Sequence, residues 1–110
     1  MSAAAPGIAA IVVSHQSEAT IADCLARLLA CTAVVQVRVV DNGSTDGTLE
    51  VVQRQASLDP RLRFIGNPDN PGFSVACNQG ARASDAEWLA FVNPDCLLEP
   101  DALARLLAHA

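Results

Sequence analysis

The chain has no lysine among its 110 residues, and its seven arginines form no cluster. Binding nucleic acid by neutralising phosphates needs a basic face, so a net charge of −5 argues against that class. Any phosphate handled here must instead meet a metal ion, backbone N–H groups or a helix N-terminus. Long apolar runs are also missing: the longest cover several residues, whereas a bilayer span takes about 20. The N-terminal Met-Ser-Ala-Ala-Ala-Pro-Gly lacks the basic region and apolar stretch of a secretory leader, and residues 1–7 read as a flexible tail. The four cysteines, Cys24, Cys31, Cys77 and Cys96, make no CxxC pair, and His15 and His109 are not at zinc-ligand spacing from them. Buried free thiols in a reducing, cytoplasmic compartment are the expectation.

Apolar residues make up 51% of the chain, enough for one hydrophobic core. Four β-rich segments recur at intervals of about 25 residues: Ile8–Val13, Val37–Val40, Leu62–Ile65 and Trp88–Val92. The first and last are almost continuously apolar, which predicts strands covered on both faces. Between them, Ile21, Cys24, Leu25, Leu28 and Leu29 fall at i, i+3, i+4, i+7 and i+8, the stripe of an amphipathic helix that Ser17 or Thr20 can cap. Leu49, Val52 and Ala56 predict a shorter helix ending before Asp59-Pro60. Phe73, Ala76, Cys77, Gly80 and Ala81 predict a third, and Leu103, Leu106 and Leu107 a fourth.

The order βαβαβαβα predicts an α/β fold over 8–110, an open, mainly parallel, Rossmann-like sheet with alternating helices and right-handed crossovers. No linker, repeat or low-complexity segment interrupts it. The last helix runs to Ala110 without a stop signal, so the chain reads as the front half of a longer domain. A four-stranded parallel sheet would then leave an open edge, a route to self-association.

The polar residues gather where predicted strands end. Val39-Val40-Asp41-Asn42-Gly43-Ser44-Thr45-Asp46-Gly47-Thr48 stops a buried strand in a carboxylate and an amide, then turns into a helix. In open α/β sheets ligands bind at the carboxyl ends of strands, so Asp41 is a candidate acceptor for N–H or O–H groups of a base or ribose. Its competing role is satisfying turn backbone, which Asp and Asn do well. Phe91-Val92-Asn93-Pro94-Asp95 repeats the pattern and offers one hard carboxylate, suited to Mg2+ or Mn2+ whose shell a diphosphate completes. Asn67-Pro68-Asp69-Asn70-Pro71-Gly72-Phe73 is a third such loop, held extended by two prolines, with Asn78 following off the apolar stripe. Ser14-His15-Gln16-Ser17 after the first strand has no glycine, which excludes a GxGxxG turn or a Walker A loop. His15 is a candidate base or ligand-orienting group.

Taken together, Ile-Val-Val-Ser-His, Val-Val-Asp-Asn-Gly-Ser-Thr-Asp-Gly-Thr, Asn-Pro-Gly-Phe with Asn78-Gln-Gly, and Phe-Val-Asn-Pro-Asp resemble the family 2 glycosyltransferases, which have the glycosyltransferase A fold. The four motifs follow the family's order from Ile8 to about Asp101. The resemblance implies a nucleotide pocket from Ser14, His15, Asp41 and Asn42, closed by Asn70 and Asn78. It implies Mg2+ or Mn2+ at Asp95, with Asn93 standing where the family's Asp-x-Asp motif has its first carboxylate. Asn-Pro-Asp with Pro-Gly-Phe is similar to the rhamnosyltransferase-type branch, which implies a dTDP- or UDP-sugar donor, dTDP-rhamnose among them. The catalytic base and the site for a carbohydrate or lipid-linked acceptor are then expected downstream of Ala110, so the 110 residues alone would not transfer sugar. The expected location is the cytoplasm, with the full-length protein peripheral at the cytoplasmic membrane face. The contrasting reading is a non-catalytic nucleotide-binding or protein-interaction module. A nucleotidyltransferase would want a glycine- and basic-rich loop that Ser14-His15-Gln16 does not supply.

Overall fold

The computed structural model describes residues 5–109. Its elements are β1 (Ala5–Ser14), α1 (Ile21–Ala30), β2 (Val34–Asn42), α2 (Thr48–Leu58), β3 (Leu62–Asn67), α3 (Phe73–Arg82), β4 (Ala86–Phe91) and α4 (Ala102–Ala108). Every predicted element is present in the predicted order. The four strands form one sheet in the order β3-β2-β1-β4, and all three pairings are parallel. β1 starts at Ala5 rather than Ile8, so residues 5–7 extend the strand, with Ala5 opposite Ala86. The rest of the expected tail, residues 1–4, lies outside the described residues. α4 stops at Ala108 with His109 as its cap, short of the Ala110 expected from sequence.

Alternation along the strands sorts the two faces of the sheet. Ala10 and Val12 on β1, Val37 and Val39 on β2 and Leu62 on β3 meet Ile21, Cys24, Leu25 and Leu28 of α1 and Val52 of α2 in the main core. The α1 stripe is therefore buried as its spacing requires. Thr20 occupies the N-cap position without a side-chain cap, and the Ser17 carbonyl accepts the Thr20 and Ile21 N–H groups instead, at 3.1 and 3.0 Å. The opposite face is covered by α3. A Cβ on Gly80 would lie 2.5 Å from Ile11 Cγ2, so this helix approaches the sheet at a distance that only glycine permits. Buried Arg38 ties the end of that helix to the sheet, donating through Nε to the Ala83 carbonyl at 2.8 Å and through Nη1 to the Arg61 carbonyl at 2.8 Å.

β4 departs from expectation. Its apolar sequence predicts cover on both faces, yet Trp88, Leu89 and Phe91 are 42%, 44% and 54% exposed. Among the described residues the strand is the sheet's edge, paired only with β1, and α3 lies over β1 and β2 rather than over it. Phe73, assigned by spacing to the α3 stripe, is likewise exposed, while Ala76 and Gly80 are buried. No described helix is long and apolar enough to cross a membrane.

Candidate functional site

The parallel register brings the strand ends level. Ser14 lies beside Asp41, Asp41 beside Gly66, and Asn42 beside Asn67, so three loops leave the sheet from one rim. Asp41 is buried and its carboxylate is engaged: Oδ1 accepts the Ser14 hydroxyl at 2.8 Å and the Ser44 hydroxyl at 2.6 Å, and Oδ2 accepts the Ser44 N–H at 3.0 Å. The turn-satisfying role weighed for this residue is thus the one visible in its contacts.

The loop after β1 is stapled onto the loop after β2. Gln16 adopts the left-handed region, φ 51°, and its N–H donates to Ser44 Oγ at 2.9 Å. Its side-chain Oε1 accepts the Thr45 N–H at 2.6 Å. Ser17 N–H donates to Thr48 Oγ1 at 2.8 Å, and Glu18 Oε1 accepts the Gly47 N–H at 2.9 Å. Asp46 closes the turn by accepting the Thr48 N–H at 3.0 Å and the Thr48 hydroxyl, whose hydrogen bond holds this carboxyl below the usual range. At the α2 N-terminus the Gly47 and Thr48 N–H groups are thus taken up by Glu18 and Asp46.

The third loop crosses behind. Gly43, at φ 66°, lies so near Asp69 that a Cβ would stand 2.9 Å from its carbonyl carbon. Asn42 donates Nδ2 to the Gly72 carbonyl at 3.2 Å and accepts Asn67 Nδ2 at 2.9 Å, and Asn67 in turn pairs with Gln79 at 2.8 and 3.0 Å. Asn70 Oδ1 accepts the Gly72 N–H at 2.9 Å, setting the entry to α3.

Between these loops and the segment after β4 lies a cleft of about 290 Å3. Ser14, His15, Asn42, Asn70 and Asn93 all line it, together with the exposed ring of Phe73. His15 Nδ1 sits 2.7 Å from the Asn42 carbonyl, which can only accept, so Nδ1 carries the proton and Nε2 is left for the cleft. Asp41 is not on its wall. Asn78 stands apart, in a shallower depression with Ser74, Cys77 and Phe91 that Phe73 separates from the first.

Asn93 and Asp95 are both exposed at the carboxyl end of β4. Among the described residues no three His, Cys, Asp or Glu side chains gather as a closed metal cage. A single exposed carboxylate with a neighbouring amide oxygen suits Mg2+ or Mn2+, which keep open positions for water and substrate phosphates, and does not suit a metal that the protein must enclose. The donor set therefore fits a divalent ion shared with a ligand.

Sequence reasoning did not single out Gln16, Glu18, Asn67 and Gln79, which hold the loops, or Phe73 as a cleft residue. For Phe73 a signal existed: it opens its helix directly after Pro71-Gly72, where a first-turn side chain need not follow the buried stripe.

A family model described as glycosyl transferase family 2 matches residues 9–110. The chain belongs to glycosyl transferase family 2. This family 2 chain is 35% identical over 106 residues to the succinoglycan biosynthesis protein ExoO of Rhizobium meliloti (strain 1021), covering 96% of the chain and 30% of that relative. It superposes with TM-score 0.85 and 27% identity on the mannosyltransferase PcManGT from Pyrobaculum calidifontis in complex with GDP-Man and Mn2+, covering 94% of the chain and 32% of PcManGT. Against S. aureus TarS 1-349 in complex with UDP-GlcNAc, the TM-score is 0.82 at 25% identity, covering 93% and 30%. The chain thus spans 30% of the length of ExoO and of the Bacillus subtilis relative EpsH, and as little as 7% of a longer relative, the hyaluronan synthase of Pasteurella multocida.

Proposed function

We propose that this family 2 chain is the donor-binding portion of an inverting glycosyltransferase of polysaccharide biosynthesis. The observation that carries the reading is the cleft at the carboxyl ends of β1 and β2, where His15, Asn42, Asn70 and Asn93 converge, with Asp95 the next residue after Pro94 of its lining. Its ligand in this reading is a nucleotide-diphosphate sugar, a UDP- or dTDP-sugar such as dTDP-rhamnose, and its ion Mg2+ or Mn2+. Solved relatives in complex with UDP-GlcNAc, and with GDP-Man and Mn2+, support that chemistry.

Ser14, His15, Asn42, Asn70 and Asn78 are assigned to the nucleoside. His15 Nε2 offers one polar contact, and the face of Phe73 offers an apolar surface for a base. Asp41 takes part from beneath. Buried behind the cleft wall, it acts on the nucleoside through the Ser14 and Ser44 hydroxyls that it fixes in place. Asp95, with Asn93 nearby, would hold the ion. An ion there would offset charge on the departing nucleoside diphosphate. Deprotonation of a carbohydrate or lipid-linked acceptor is assigned to the longer protein, and the 110 residues are expected to bind donor without transferring sugar.

Calorimetric titration with UDP and dTDP, with and without Mn2+, tests the reading. Binding that requires Mn2+ and is lost in Asp95→Ala is the expected result. No binding in either condition overturns it in favour of a protein-interaction module, and sugar transfer by the 110 residues overturns the division of labour.

A further inference from the structure

The segment that carries Asn93 and Asp95 belongs to no helix or strand, yet its two ends rest on a single helix. Cys24, fully buried on α1, donates its thiol to the Asn93 carbonyl at 3.4 Å. Seven residues further on, at the C-cap of the helix, Cys31 reaches the Glu99 carbonyl at 3.7 Å while also contacting the Arg27 carbonyl at 3.3 Å. The Asn93 carbonyl also accepts the Cys96 N–H at 3.0 Å, closing a turn around Asp95. A backbone carbonyl can only accept, so the thiol is the donor in this contact. Val92 and Leu98 pack against the same core on either side of the turn, and the thiol adds a directed bond from α1 to its carbonyl.

We infer that Cys24 is a positioning residue for Asp95, its S–H group holding the Asn93–Cys96 turn beside the cleft through the Asn93 carbonyl. The consequence for metal rests on the donor-site reading above, whereas the mechanical tie does not. Cys24→Ser retains a donor, and Cys24→Val fills the space without one, so the pair separates hydrogen bonding from packing.

Amide hydrogen exchange at Cys96, followed by NMR, reads the turn directly. Cys24→Val is expected to speed it about 2–10-fold, the range for one lost hydrogen bond. Exchange at Val12 and Val39 should stay unchanged, and Cys24→Ser should restore most of the protection. Unchanged Cys96 exchange in Cys24→Val overturns the inference, as does equal loosening in both variants, which makes packing the cause. Should Cys24→Val not fold, Cys24→Ala against Cys24→Ser makes the same comparison. Mn2+ affinity in the presence of UDP, measured by electron paramagnetic resonance, is expected to fall by a similar factor in Cys24→Val and recover in Cys24→Ser. Wild-type protein that binds no Mn2+ overturns the donor-site reading alone, and Cys96 exchange then decides this one.

Discussion

The Ser14 hydroxyl donates to Asp41 Oδ1 at 2.8 Å across adjacent parallel strands, with both residues buried. This bond joins the loop after β1 to the loop after β2 at their roots. Asp41 then passes the constraint outward through Ser44, whose hydroxyl also receives the Gln16 N–H. A carboxylate in this position shapes a cleft whether or not it touches what fills it.

Asp41→Ala removes three accepted hydrogen bonds and leaves the buried Ser14 hydroxyl without its partner. Orphaned buried polar groups of this kind cost about 2–3 kcal/mol. The expected thermal midpoint, followed by circular dichroism, falls by roughly 8–15 °C. A midpoint within two or three degrees of wild type (roughly half a kcal/mol) would sink the structural role given to Asp41.

Gly80→Ala forces a methyl group toward Ile11 Cγ2 and Val40 Cγ2, contacts of 2.5 and 3.5 Å before relaxation. Ile11 is β-branched and buried and cannot swing aside freely. Despite the better helix propensity of alanine, urea unfolding should show a loss of about 1–3 kcal/mol. Stabilisation would mean that α3 stands further from the sheet than described.

Self-association is the outcome expected of the open edge. β4 presents an unpaired side to solvent along with Trp88, Leu89 and Phe91. Size-exclusion chromatography with light scattering should show a mass rising with concentration, and Leu89→Lys should reduce it. One constant monomer mass over the range would remove the edge from consideration.

Acid sensitivity has a defined sign. The Arg61 guanidinium, donating to both Asp59 oxygens, holds the Asp59 carboxyl below its usual range, and Thr48 does the same for Asp46. An unfolded carboxyl titrates near about 3.9, above these folded values, so the stabilisation is present above that pH and fades as pH falls through the folded values. Thermal midpoints should decline from about pH 5 towards 3, less steeply in Asp59→Asn. Identical slopes in the two proteins would show that Asp59 contributes nothing to acid stability.

The α/β order was legible because hydrophobic spacing reports burial directly where a core exists to receive it. The α1 stripe of Ile21, Cys24, Leu25 and Leu28 shows this. The same spacing misled at Phe73 and along β4. An apolar sequence states what would gain from burial and not whether a neighbour is there to bury it. Ser14, His15, Asn42, Asn70 and Asn93 were legible as a group because each follows a strand or opens a loop at one rim of a parallel sheet. Gln16 and Glu18 were not, because their partners lie about 30 residues away.

Sequence alone determined the strand-helix alternation, the family and the rim at which polar residues gather, since these depend on local periodicity and chain order. Tertiary structure alone decided that Asp41 turns inward to Ser14 and Ser44 and that Phe73 opens onto the cleft. It also decided that Cys24 reaches the turn bearing Asp95. Those outcomes depend on which groups from distant segments arrive within hydrogen-bonding or packing distance, a few ångströms that spacing along the chain does not encode.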